Sequence, residues 1–391
     1  MSTSIQPLRS YFATGATQSY AFRIEQLQRL KKAVLDAEKD LYQALYADLK
    51  KTQEDAWATE IGFFLSELNH TIKNLKQWME PTSVATNLVN LPSASFIVQE
   101  PLGVVCIIAP WNYPFQLLFT PLIGAIAGGN CAVLKPSEFA PATAAVMQKI
   151  IHSLFSDNYI MYIEGEGAAV LPPLLSENRF DHIFYTGSTL VGKIIYKLAA
   201  EQLVPVTLEL GGKSPAVICE DANLRVAARR LANPKFSNCG QMCIAPDYIL
   251  VPPALKDKLI EELIIAIQAF YGKEAEASEH YGKIINEKQW LRINAYLGDG
   301  EIVYGGKSNK EKLFIEPTIM VGVSPEAKIM QDEIFGPLLP ILTYESKEEA
   351  LSIIQKNPNP LAFYVFAENK NDQQYWLTNV PSGGEIGRAH V

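Results

Sequence analysis

The feature that most constrains this chain is an alternation of short apolar runs and helix-period segments between Gly103 and Glu209. Apolar runs recur at residues 104–108, 131–134, 159–163, 182–185 and 206–208. Each run is continuous rather than alternating in hydrophobicity, as in strands covered on both faces. Helical intervals separate them, for example residues 190–200 and residues 142–155, with Pro141 at a common helix-start position. Alternation of this length predicts right-handed crossovers and a parallel, doubly wound α/β sheet.

The flanks read differently. Ile24, Leu27, Leu30, Val34, Leu41 and Leu45 recur mostly at three- and four-residue steps, as on one buried helix face. Trp57, Ile61, Phe64, Leu68, Ile72 and Leu75 form a second such series, ended by Pro81. Residues 83–100 carry Ser, Thr and Asn around short apolar pieces and read as an extended arm. A second α/β region follows from Glu209 and includes an amphipathic helix at 255–270. A chain of 391 residues is too long for one ordinary core. The expected division is residues 1–81 with 102–208, an arm at 82–101, and a second domain at 209–384.

Composition narrows the function classes. With 48% apolar and 19% charged residues the chain reads as a soluble globular protein, and a net charge of -8 gives no reason to expect a nucleic-acid partner. The N-terminus lacks the apolar core of a secretory signal, and the apolar stretch at 104–110 is too short to span a bilayer. Five unevenly spaced cysteines do not make a disulfide framework. With no CxxC and no HExxH, a metal site is not expected. A reduced, cytoplasmic setting fits all of this.

Chemistry concentrates in a few segments. Asn238-Cys239-Gly240-Gln241-Met242-Cys243 surrounds Cys243 with residues suited to a tight backbone approach. A buried, inert thiol is the ordinary fate of a single cysteine. Here the flanks favour a nucleophile, which must act as thiolate. Glu209 ends an apolar strand before Gly211-Gly212, at a carboxyl edge where open α/β sheets place ligands. It is either a solvated strand-end carboxylate or a base for covalent catalysis.

Cofactor candidates are weaker singly. Gly187-Ser188-Thr189-Leu190-Val191-Gly192 is not the GxGxxG fingerprint, yet it follows a strand and opens a helix, a ready phosphate site. Lys135-Pro136-Ser137-Glu138 also follows a strand and offers a cation and a carboxylate for ribose hydroxyls. Asn112, after the first strand, either donates to a developing oxyanion or caps a helix beginning near Phe115. Glu333 and Phe335 place a carboxylate and a ring two residues apart, and core packing is an equal account of Phe335.

Taken in order, these segments resemble the aldehyde dehydrogenase superfamily. The resemblance rests on Pro110-Trp111-Asn112-Tyr113-Pro114-Phe115, Lys135-Pro136-Ser137-Glu138, Tyr185-Thr186-Gly187-Ser188, Leu208-Glu209-Leu210-Gly211-Gly212-Lys213, Cys239-Gly240-Gln241-Met242-Cys243 and Glu333-Ile334-Phe335-Gly336-Pro337. The short lead before Trp111 and the wording of residues 238–248 look like the class 3 branch, which acts mainly on medium- and long-chain aliphatic and aromatic aldehydes. The resemblance implies a Rossmann-like NAD(P)-binding domain, a second catalytic α/β domain and a small bridging arm that serves oligomerisation. It implies NAD or NADP as cofactor, with NAD favoured because Glu138 would repel a 2′-phosphate. A homodimer is implied for the complete protein.

The same resemblance assigns roles. Cys243 matches the nucleophile, Cys239 its non-catalytic neighbour, and Glu209 the base that activates the deacylating water. Asn112, with the Cys243 backbone amide, matches the oxyanion hole. Trp111 falls in the cofactor-contacting motif, Lys135 and Glu138 match the adenosine-ribose contacts, and Gly187, Ser188 and Gly192 the pyrophosphate turn. Glu333 matches the nicotinamide-ribose contact and Phe335 the ring that sets the nicotinamide. The implied path runs from hemithioacetal through thioester to free acid. A coenzyme-A-acylating enzyme is the rival reading, but such enzymes generally lack a glutamate at the position of Glu209. A non-catalytic protein that keeps the fold is the other.

The C-terminus departs from the pattern. After Val380-Pro381-Ser382-Gly383-Gly384 the family continues through a further glycine-rich motif and a subunit-pairing strand, and some class 3 members add a membrane tail. Residues 385–391 could be encoded by a common sequencing-library adapter read in frame, so the expectation is a C-terminally truncated chain ending in a technical scar.

Overall fold

The computed structural model describes residues 4–386 and divides into two units, one of Met1–Asp48 and Gln53–Glu209, the other of Leu49–Thr52 and Leu210–Val391. Residues 387–391 of the expected scar lie outside the described residues.

In the first unit, helix Tyr20–Asp36 buries Leu27, Leu30 and Val34, the face that the three- and four-residue spacing marks. Its N-cap is Ser19, whose hydroxyl accepts from the Phe22 amide, as a cap should. The arm is a ribbon of β1 (Thr82–Val84) and β2 (Ser95–Ile97), antiparallel with Thr82 opposite Ile97. It is exposed, with Leu88 and Val89 at 86% and 91%.

The apolar runs form β3 (Val104–Ile108), β4 (Cys131–Lys135), β5 (Ile160–Tyr162), β6 (His182–Gly187) and β7 (Val206–Leu210). They pair in the order β5-β4-β3-β6-β7, and the β4–β5, β3–β4 and β3–β6 ladders are parallel. The order reverses between β3 and β6, which makes their carboxyl ends a topological switch point, the usual ligand crevice of such sheets. Helix Pro141–Leu154 begins on its proline as the sequence indicates. Helix Gly167–Glu177 carries Pro172 and Pro173 in its interior, and no periodicity argument locates it.

The second unit centres on a seven-stranded sheet of β8 (Pro215–Ile218), β9 (Tyr248–Val251), β10 (Glu301–Tyr304), β13 (Thr318–Val321), β14 (Leu338–Thr343), β15 (Ala362–Phe366) and β16 (Gly384–Ile386). A short hairpin, β11 (Ser308–Asn309) with β12 (Phe314–Ile315), stands apart. The order is β10-β13-β14-β9-β8-β15-β16, with β10 antiparallel and the remaining ladders parallel. Tyr248–Val251, Pro215–Ile218 and Ala362–Phe366 are buried along their whole length, as parallel strands covered on both faces should be. Helix Pro253–Tyr271 covers residues 255–270 as expected.

Candidate active site

The first unit gathers its candidate residues at the carboxyl ends of its strands. Asn112 lies just past β3, is 1% exposed, and precedes helix Gln116–Ala127. That helix has Phe115 as N-cap, and its first amides are taken by Glu60, so Asn112 is not its cap. Trp111 beside it is half-buried. At the end of β4 the Lys135 side chain is 2% exposed, and its ammonium donates to Pro136 O at 2.6 Å and Glu138 Oε2 at 3.3 Å. Glu138 Oε1 accepts from the Gly167 amide at 2.8 Å. Burial alone would raise the Glu138 pKa, but the Gly167 amide and Lys135 outweigh it and hold the carboxyl below its ordinary value.

At the end of β6, Gly187 lets the Tyr185 side chain approach closely: a Cβ there would lie 2.3 Å from the Tyr185 hydroxyl oxygen and would displace it. That hydroxyl donates to Ser188 O at 3.2 Å. Ser188 caps helix Thr189–Glu201 and Gly192 is buried inside it, so the turn opens a helix start suited to phosphate. Glu209 is the exposed penultimate residue of β7.

In the second unit the candidate loops lie at the amino-terminal edge of the parallel strands, preceding β8, β9 and β14. Helix Leu224–Phe236 runs into a single turn, Ser237–Gly240, in which Asn238 (φ 49°), Cys239 (φ 53°) and Gly240 (φ 71°) are all left-handed. Consecutive non-glycine residues in that region are uncommon and mark an over-determined loop. Gln241 supplies the determination. Fully buried, it donates from Nε2 to Asn238 O and Lys283 O at 2.9 and 3.0 Å, and accepts at Oε1 from Ile285 N at 2.9 Å. Just beyond, the Tyr364 hydroxyl donates to Ile244 O.

The result separates the thiols. Cys106, Cys131, Cys219 and Cys239 are buried, and burial pushes their pKa values up to about 12, 12, 11 and 12. Cys243 alone among the described cysteines is partly exposed.

Glycines lock the second unit's segments together. A Cβ on Gly240 would lie 2.4 Å from Gly336 O, and one on Gly211 would lie 2.4 Å from Glu333 Oε2. Three stretches distant in sequence therefore meet through positions where only glycine fits. The turn bearing Glu333 and Phe335 is held by charges: Arg292 donates to Ile334 O at 2.8 Å, the Ile334 amide donates to Asp247 Oδ1 at 2.9 Å, and Lys213 donates to Asp332 O at 2.8 Å. Phe335 takes a left-handed φ of 49° and is half-buried. Burial, reinforced by Asp247, holds the Glu333 carboxyl well above its ordinary pKa against the pull of Lys213, Arg292 and Lys235. Its buried Oε1 has no hydrogen-bond partner among the described residues, which suits a ligand hydroxyl donor. Within the first unit, the helix start at Ser188 and the Lys135–Glu138 pair fit the phosphate and ribose of a nicotinamide dinucleotide. Among the described residues no group of three His, Cys, Asp or Glu is placed to hold a metal.

Glu60, Lys235, Asp247 and Arg292 are absent from the sequence reading. No periodicity or motif distinguishes them from surface charges.

The chain belongs to the aldehyde dehydrogenase family, whose match runs over residues 5–387, and it is an NAD(P)-dependent aldehyde dehydrogenase. Its relatives lie in and near class 3. It is 47% identical over 378 residues to 4,4'-diaponeurosporen-aldehyde dehydrogenase of Staphylococcus aureus, covering 96% of this chain and 82% of that one. It is 40% identical to aldehyde dehydrogenase family 3 member A2 of Rattus norvegicus, covering 99% and 80%. Among solved structures, the substrate-bound state of Staphylococcus aureus AldH superposes with a TM-score of 0.95 at 46% identity, covering 97% and 83%.

Proposed function

We propose that this chain oxidises medium- or long-chain aliphatic or aromatic aldehydes to carboxylic acids through Cys243. The supporting observation is the separation of the thiols: four are buried with raised pKa values, while Cys243 stands partly exposed after a left-handed turn. The substrate class is supported by the similarity to 4,4'-diaponeurosporen-aldehyde dehydrogenase and to aldehyde dehydrogenase family 3 member A2.

In this reading the Cys243 thiolate adds to the aldehyde carbon, and Asn112 donates its side-chain N–H to the resulting oxyanion. A nicotinamide cofactor bound there would supply the hydride acceptor. Cys243 then holds the acyl group as a thioester, and Glu209 takes a proton from the water that attacks it, so that free acid leaves and the thiolate returns. Lys135 and Glu138 hold the adenosine ribose, and the Ser188 helix start the pyrophosphate. Trp111 lines the same cofactor site, while Glu333 and Phe335 hold the nicotinamide ribose and ring. The ionised Glu138 disfavours a 2′-phosphate, which makes NAD the preferred cofactor.

The exposed apolar arm, with Leu190, Ile194 and Tyr196 on helix Thr189–Glu201, supports a homodimer. Among the described residues no helix is long and apolar enough to cross a membrane; the cytoplasmic location we propose rests on the cysteine usage, which suits a reduced compartment. The domain roles follow the same division: cofactor binding in residues 1–81 and 102–208, oligomerisation in 82–101, catalysis in 209–384. Asn112→Ala tests the mechanism. Loss of an oxyanion donor of this kind slows turnover by about a hundredfold or more, and near-normal turnover removes the role.

A further inference from the structure

Glu60 is a fully buried carboxylate in the first unit that the reaction scheme above does not use. It sits in Trp57–Ile61, a single π-helical turn between helices Gln53–Ala56 and Gly62–Trp78. A π turn inserts about one extra residue, which rotates one half of a helix by roughly 100° against the other. The insertion depends on Gly62, where a Cβ would lie 2.8 Å from Trp57 O. It leaves Glu60 facing the start of helix Gln116–Ala127, where Oε2 accepts from the Phe115 and Gln116 amides, both at 3.0 Å. Phe64, one turn further on, packs the same interface, with its ring 5.2 Å from Phe115 and 6.0 Å from Phe119.

The consequence falls on Asn112. The β3 ladder ends where the Ala109 amide donates to Lys135 O at 3.1 Å; further on, Tyr113 O accepts from the Leu117 amide at 3.0 Å, and Glu60 holds the Phe115 and Gln116 amides of the same helix start. Residues 110–114 join the strand to that helix start, with Pro110 and Pro114 at the two ends and Asn112 in the middle. Prolines restrict the backbone at both ends of the loop. The loop that bears Asn112 thus runs from the end of β3 directly into the helix start that Glu60 holds. A charged acceptor at a helix N-terminus is the strongest form of such an anchor.

We infer that Glu60 is a positioning residue for Asn112: by clamping the Phe115 and Gln116 amides it fixes the five-residue loop that presents the Asn112 side chain to the reacting oxygen. The inference rests on the reading of Asn112 as oxyanion donor.

The test is a double-mutant cycle on the full chain, with Glu60→Gln and Glu60→Ala each made alone and with Asn112→Ala. Folding is checked by circular dichroism, and Glu60→Gln, which keeps one acceptor oxygen, carries the test should Glu60→Ala not fold. Displacing the donor lowers kcat by about tenfold in Glu60→Ala and by less in Glu60→Gln, with KM for the cofactor unchanged. In the Asn112→Ala background neither substitution lowers kcat further. A full multiplicative loss in that background, or an unchanged kcat in the single variants, overturns the positioning role while leaving Asn112 in place. Normal turnover of Asn112→Ala itself overturns the oxyanion reading and this inference with it.

Discussion

Replacing Lys235 by methionine should stabilise the protein, and the reasoning follows from where the charge sits. Lys235 is on the last turn of helix Leu224–Phe236, its side chain is fully buried, and its Nζ has no hydrogen-bond partner among the described residues. Burial pushes its pKa from 10.5 down to about 8, with Lys213 adding to the drop and Asp247 and Glu333 opposing it. That drop corresponds to a penalty of about 3 kcal/mol for holding the proton in the folded state. Because the folded pKa is the lower one, the penalty is complete below pH 8. Between pH 8 and 10.5 the unfolded chain holds more protons, so unfolding free energy rises with pH by at most about 1.4 kcal/mol per unit.

Methionine keeps most of the stem's volume and removes the charge, and replacing buried charges by apolar side chains often stabilises by about 1–4 kcal/mol. The assay is urea denaturation of both proteins at pH 7 and pH 9.5. The variant should be more stable by about 1–3 kcal/mol at pH 7, and the gap should narrow at pH 9.5. A variant less stable than the parent at pH 7, or a gap that widens with pH, refutes the argument.

Other outcomes follow from the same geometry. Gly240→Ala meets both a left-handed φ of 71° and a carbonyl 2.4 Å away, so it should lower the melting temperature and abolish turnover, as thermal scans and kinetics would show. Gln241→Leu removes the amide that pins Asn238, Lys283 and Ile285 and leaves buried groups unpaired, a loss of about 1–3 kcal/mol per group in denaturant titration. In the native protein a maleimide should label Cys243 and spare Cys106, Cys131, Cys219 and Cys239 until denaturant is added, read by peptide mass mapping. Glu138→Gln should raise the ratio of NADP to NAD efficiency, because the charge that opposes a 2′-phosphate is removed; an unchanged ratio would place cofactor choice elsewhere.

What the sequence discloses, and what it hides, divides along physical lines. Continuous apolar runs locate β3 and β4 because strands buried on both faces have no other way to be written. The segments around Cys243 and Glu333 are recognisable because glycine is placed where two backbones or a backbone and a carboxylate approach, at Gly211 and Gly240. Helix Gly167–Glu177 is hidden because Pro172 and Pro173 contradict local propensity, and its tertiary setting overrides them. Glu60, Lys235 and Asp247 are hidden because a buried charge looks like a surface charge until its partners are known. The amides that Glu60 holds are 55 and 56 residues away. The carboxyl-edge rule is sound for Asn112 and Lys135, yet it gives no warning that the loops of the second unit gather at the amino edge of their sheet.

The central claim is that Cys243 carries the oxidation. The most direct measurement is absorbance at 340 nm for the purified chain with NAD and a medium-chain aldehyde, beside a Cys243→Ala control. A rise that disappears in the control, with free carboxylic acid as product, is the predicted result. A rise that persists without Cys243, or none in either protein, contradicts it.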